Sequence, residues 1–110
     1  FRVILDLGPA SKGHGLILPK QHYANIYEID ETVAAKAFVL AKKMAGKMTK
    51  ALNCDGFNVV QNNGTAAGQT VFHFHMHLIP RKAGDQAVPE WEHLSLSDDE
   101  MKEICNKMKM

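Results

Sequence analysis

Between Phe72 and Leu78 the chain alternates apolar and imidazole side chains without a break: Phe72-His73-Phe74-His75-Met76-His77-Leu78. Alternate residues of a β-strand point to opposite faces, so a strand here sets Phe72, Phe74, Met76 and Leu78 against His73, His75 and His77. The apolar row needs a packing layer, and burying it drives the three imidazoles onto the other face, about 6.5–7 Å apart. Neighbouring imidazoles at that spacing repel when all are protonated. Relief comes from staying neutral or from accepting an anion, which suits the face to proton transfer, nucleophilic attack or ligation.

The remaining sequence supplies the packing layer. Residues 2–7 read as a buried strand ended by Gly8 and Pro9, and residues 14–18 as a second strand, antiparallel to the first because the loop between them is short. The spacing of Val33, Ala37, Phe38, Ala41, Met44, Ala45, Met48 and Leu52 predicts a helix over Glu31–Leu52, N-capped by Asp30, with that face on the sheet. Lys36, Lys42, Lys43, Lys47 and Lys50 fill its solvated side. Residues 57–61 read as a third strand, 62–68 as a polar glycine-containing loop, and 70–79 as the histidine strand. Ser97 and Glu100 have capping-box spacing, which predicts a last helix over residues 98–107. The expected fold class is therefore α+β: an antiparallel sheet covered by one long helix, with a C-terminal helix.

At 110 residues the chain reads as one domain, residues 1–110. It opens at Phe1 inside a strand pattern without an initiator Met, so a preceding N-terminal strand or segment is expected. Thirteen basic residues against 12 acidic ones give a net charge of +1, too little for a general nucleic-acid binder. No apolar run approaches the ~20 residues of a membrane span. Cys54 and Cys105 are too few and too far apart for a disulfide framework, which points to a reduced, cytoplasmic setting.

Two chemistries compete for the histidine face. Histidines at i and i+2 can share a metal, but no Cys or carboxylate stands nearby in sequence to complete a zinc site, so no metal or other cofactor is required. Phosphate chemistry is favoured by the approach to the strand, Gly68-Gln69-Thr70, where glycine lets backbone amides come close to phosphate oxygens beside an amide and a hydroxyl.

Residues 68–79 resemble the signature of the histidine triad (HIT) family, three histidines alternating with apolar residues. The resemblance runs back through Ile4-Leu5-Asp6-Leu7, the stretch from Gly13 to His22, the long helix and Asn62, in the family's order. It implies a homodimeric nucleotide hydrolase acting at an α-phosphate through a covalent nucleotidyl-histidine intermediate. By resemblance His75 is the nucleophile, His77 bonds the phosphate or leaving group, His73 orients the others, and His14 supports the histidine network. Asn62, Gln69 and Thr70 would hold the phosphate, Gly68 would give them room, Asp6 would take the ribose hydroxyls, and Leu7 would lie at the base. Asn62 matches the purine nucleoside phosphoramidase-like branch, whereas Pro80-Arg81-Lys82-Ala83-Gly84-Asp85 looks more like the dinucleoside polyphosphate hydrolases. The phosphoramidase-like reading is favoured; that hydrolase and a non-catalytic nucleotide- or zinc-binding module are the alternatives. His22 and His93 are expected as surface residues, and Arg81 and Lys82 as a solvated pair.

Overall fold

In the computed structural model residues 1–86 and 91–109 are described. Four strands, β1 (Arg2–Leu5), β2 (Gly15–Leu18), β3 (Gly56–Val60) and β4 (Met76–Arg81), form one antiparallel sheet in the order β1-β2-β4-β3. Helix α1 (Glu31–Leu52) packs on β2, β3 and β4, and α2 (Asp98–Met108) follows β4 in the chain. The expected α+β architecture is the one observed.

α1 begins where its sequence says it should. The Asp30 carboxylate accepts the amides of Thr32 and Val33 at 3.0 and 3.2 Å, satisfying first-turn donors that have no partner within the helix. At the far end Asn53 takes the left-handed conformation, φ 50°, and its amide returns to the Thr49 carbonyl. The Lys82 ammonium donates to the carbonyls of Leu52 and Asn53, so this exposed lysine caps α1. Arg81 is engaged as well, reaching Asn58 at 2.7 Å and clamped by Asp85. The pair expected to be solvated remains at the surface and also clasps the end of β4 to its neighbours.

The core consists of Ile17, Ala37, Ala41, Phe74, Met76 and Leu78, flanked by Tyr23, Ile29, Leu40, Met44, Met48 and Phe57. Ala37 and Ala41, one turn apart and fully covered, let the helix axis approach the sheet closely. Phe38, expected on this inner face, is 64% exposed: one residue on from Ala37, it is rotated about 100° away from the Ala37–Ala41–Met44–Met48 stripe. Leu52, at the helix end, is also exposed.

Two strands depart from expectation. β1 is shorter than residues 2–7 and is not buried: among the described residues it is an edge strand paired with β2 alone, and Val3, Ile4 and Leu5 are exposed. β4 starts at Met76 rather than at residue 70, because the Phe74 amide is taken by the Tyr23 carbonyl at 2.6 Å, pulling the chain away from the ladder. Phe72 consequently lies outside the core, 51% exposed, while Phe74, Met76 and Leu78 fill it. The Ser97–Glu100 capping box forms as expected, and α2 carries no buried residue.

Replacing Ile17, fully enclosed between the sheet and α1, with Ala is expected to lower unfolding free energy by ~2–5 kcal/mol. Asp30→Ala should lower it by about 1 kcal/mol through loss of the cap alone. Urea denaturation of the two variants checks the order; equal losses would contradict this assignment of the core.

Candidate active site

The strand register assembles the site on the sheet face away from α1. Ile4 pairs with Leu16 and Leu16 with His77, so positions 4, 16 and 77 share a face, opposite to Ile17, Met76 and Leu78. Two residues further along, Asp6 and His14 continue that face, kept in step by a bond from the Asp6 amide to the His14 carbonyl at 2.9 Å. His14 is then the diagonal neighbour of His77 across β2 and β4.

The side chains close that diagonal. His14 Nε2 lies 2.9 Å from His77 Nδ1, with the ring centroids 5.1 Å apart. Asp6 Oδ2 is 3.5 Å from His14 Nε2 and 3.9 Å from His77 Nδ1, while its Oδ1 accepts the Gly8 amide at 2.8 Å. A carboxylate absent from the sequence neighbourhood of the histidines therefore arrives from the end of β1. The rings of His75 and His77 are 5.0 Å apart and nearly perpendicular, closer than an ideal strand would hold them. His75 Nδ1 donates to the His73 carbonyl at 2.7 Å. His73 Nε2 donates to the Pro19 carbonyl at 2.8 Å, and His73 Nδ1 meets His22 Nδ1 at 3.1 Å. His22 is exposed, as expected, and is also a neighbour of His73 that the sequence reading did not bring to the site. The available signal was its place at the end of the Gly13-to-His22 stretch. His93 is exposed, as expected.

The loop before β4 is built around one buried amide. Gln69, 2% exposed, accepts the Gly64 amide at 2.8 Å and donates to the carbonyls of Ala24 and Val71 at 2.7 and 3.1 Å. Its carboxamide is engaged in shaping the loop. Gly64 and Gly68 adopt φ 86° and 93° on either side of a 3₁₀ turn at Thr65–Ala67, conformations that favour glycine. A Cβ on Gly68 would stand 3.8 Å from Asn62 Nδ2, so Asn62 lies against this turn. The Thr70 side chain is exposed, and Leu7 is fully exposed beside Asp6.

Burial, then the neighbouring His75 and His14, lower the pKa of His77 below the ordinary imidazole value of about 6.5, with Asp6 acting in the opposite direction. At neutral pH His77 is a neutral ring.

Asp6, His14 and His77 lie close enough together to be tested as a metal site. The donor set does not fit. His14 Nδ1 receives the Ala10 amide at 2.9 Å, so in the neutral ring the proton sits on Nε2, the atom that would have to ligate. His22 and His73 together offer two of the four ligands of a structural zinc.

His77 should titrate below the usual imidazole range by NMR, rise in His75→Asn, and fall further in Asp6→Asn. Because the unfolded ring binds its proton at higher pH than the folded one, the stability His77 contributes is present above about pH 6.5 and lost as pH falls. An ordinary titration unaffected by either change would contradict the geometry.

With this geometry in hand, comparison with known proteins is direct. The model of the HIT domain matches residues 1–84. Adenosine 5'-monophosphoramidase hnt1 of Schizosaccharomyces pombe is 38% identical over 110 residues, covering 96% of this chain and 80% of that protein. Adenylylsulfatase HINT3 of Arabidopsis thaliana is 45% identical over 82 residues, 74% of this chain and 42% of that protein. The chain spans about half the length of several curated relatives it matches. The crystal structure of a HIT family protein from Bacillus anthracis superposes with TM-score 0.87 at 33% identity, covering 96% of this chain and 77% of that one. Register, histidine cluster and sequence likeness all lead to one assignment: the chain belongs to the HIT family.

Proposed function

We propose that the chain is a nucleotide hydrolase that acts at an α-phosphate through a nucleotidyl-histidine intermediate on His75, with purine nucleoside phosphoramidates as its substrate class. The observation carrying this reading is the bond from His75 Nδ1 to the His73 carbonyl at 2.7 Å. A neutral imidazole that donates from Nδ1 keeps its lone pair on Nε2, the atom needed for attack. The likeness to a protein named adenosine 5'-monophosphoramidase supports the substrate class.

In the first step His75 Nε2 bonds to the α-phosphorus, the phosphorus–nitrogen bond to the leaving amine breaks, and the amine departs with the electron pair and a proton drawn from solvent, which the second step gives back. In the second, a water oxygen bonds to phosphorus, the phosphorus–Nε2 bond breaks, and the pair returns to His75 as nucleoside monophosphate and a proton leave. Splitting one displacement into two avoids forcing water onto phosphorus while a poor leaving group departs. His77, one strand step away, bonds the phosphate or leaving group where charge accumulates, with His14 behind it. Asn62 and Thr70 take phosphate oxygens in the room left by Gly68, Asp6 takes the ribose hydroxyls, and exposed Leu7 offers apolar surface to the base. No cofactor is needed in this sequence of steps.

The cue toward dinucleoside polyphosphate hydrolases weakens in three dimensions. Arg81 is occupied by Asp85 and Asn58 and Lys82 by the end of α1, employment independent of any substrate. A homodimer belongs to the same proposal, since Val3, Ile4 and Leu5 on edge strand β1 and Phe38 and Val39 on α1 expose apolar surface that a second copy would cover. Sedimentation as a monomer at micromolar concentration would remove that part.

Single-turnover incubation with an adenosine phosphoramidate labelled at phosphorus should leave acid-labile label on the wild type and none on His75→Ala, whose kcat should fall by about 10⁴-fold or more. Label on neither protein, with nucleotide still bound, would replace the enzyme by a binding module. Faster turnover of a diadenosine polyphosphate than of the phosphoramidate would move the chain to the other branch.

A further inference from the structure

His75 and His77 are the same side chain two residues apart, yet the proposed reaction needs a lone pair from one and an N–H from the other. What separates them is the partner of each Nδ1. For His75 that partner is a carbonyl oxygen, which can only accept, so the proton is on Nδ1 and the lone pair on Nε2. For His77 the partner is another imidazole, His14 Nε2 at 2.9 Å, and two ring nitrogens in contact need one proton between them. Distance alone does not say which ring supplies it.

The answer lies on the far side of His14. The Ala10 backbone amide stands 2.9 Å from His14 Nδ1 and can only donate. His14 Nδ1 must therefore accept, its proton resides on Nε2, and that proton is the one given to His77 Nδ1. His77 is left with its own proton on Nε2. Adjacent rings 5.0 Å apart thus become opposite tautomers, His75 with a bare Nε2 and His77 with a protonated one.

The amide is held in place to do this. Ala10 sits in the loop between β1 and β2, where the Gly8 amide donates to Asp6 Oδ1 at 2.8 Å, the Ser11 hydroxyl donates to the Pro80 carbonyl at 2.7 Å, and the His14 amide donates to the Ser11 carbonyl at 3.2 Å. Gly13 closes the loop at φ 87°, and a Cβ there would stand 2.5 Å from Leu52 Cδ1. Three bonds and one tight turn hold the amide against the ring.

We propose that the Ala10 amide is a positioning group: it sets the tautomer of His14 and through it that of His77, so that His77 meets the phosphate as a neutral N–H donor and never as a second lone pair. The catalytic consequence rests on the hydrolase reading above, but the tautomer chain does not. The lowered pKa of His77 agrees with a ring that donates while neutral.

Long-range ¹H–¹⁵N correlation spectra of histidine-labelled, ligand-free protein near pH 8 report each tautomer directly. Protons on Nε2 of His14 and His77 and on Nδ1 of His75 are expected. Ala10→Pro, which removes the amide hydrogen and also fixes φ at this position, should abolish the fixed tautomer at His14 and His77 and lower kcat about 10–100-fold with KM little changed. Ala10→Gly keeps the amide and should preserve both spectrum and rate. A proton on Nδ1 of either His14 or His77 in the wild type overturns the proposal, as do unchanged tautomers in Ala10→Pro. Should Ala10→Pro fail to fold, the wild-type spectrum decides alone. Expected tautomers in a protein that turns over no nucleotide would instead sink the hydrolase reading and leave the tautomer chain standing.

Discussion

The pairing of β2 with β4 sets His14 diagonally across from His77, and the imidazole-to-imidazole bond that closes this diagonal organises the rest of the site. It brings the loop between β1 and β2 into contact with the histidine strand, because the Ala10 amide touches the other side of the same ring. It also draws in Asp6, which β1 pairing has already placed opposite His14. Slip β4 by one residue against β2 and His77 moves to the face under α1, away from His14. The apolar row of Ile17, Met76 and Leu78 prevents that shift, since it would expose the core. Packing on one side of the sheet therefore fixes chemistry on the other.

The proposed chemistry places negative charge at a site without a cationic surface. Thirteen basic residues against 12 acidic ones leave no strong overall field, and the two cations nearest the end of β4, Arg81 and Lys82, are committed to Asp85, Asn58 and the α1 carboxyl end. His77 is neutral at physiological pH. In the proposed reaction, recognition of a phosphate falls to oriented N–H dipoles and side-chain amides and hydroxyls, which need no reorganisation as charge develops. Gln69 contributes indirectly, its buried carboxamide shaping the Gly64–Gly68 turn from within.

Local signals were legible in the sequence. Asp30 and the spacing that follows mark α1 residue for residue, Ser97 and Glu100 mark α2, and alternation places Phe74, Met76 and Leu78 against His75 and His77. What could not be read was set by partners distant in the chain. β4 starts late because Phe74 is captured by Tyr23, 51 residues earlier, and His22 joins His73 across the same gap. β1 reads as buried because its residues are apolar, but burial depends on being flanked, and nothing in a strand's own sequence tells an edge from a centre. Asp6 reaches the histidines only through sheet register. In each case periodicity fixed the element and long-range pairing fixed its use.

The central claim is that His75 and His77 divide the work, one as nucleophile and one as neutral donor. The stereochemical course at phosphorus tests it most directly. An α-phosphorothioate analogue of known configuration, hydrolysed in ¹⁸O-labelled water, should give product with net retention, because attack by His75 and then by water inverts the centre twice. Net inversion would mean a single displacement by water and would contradict the covalent role of His75.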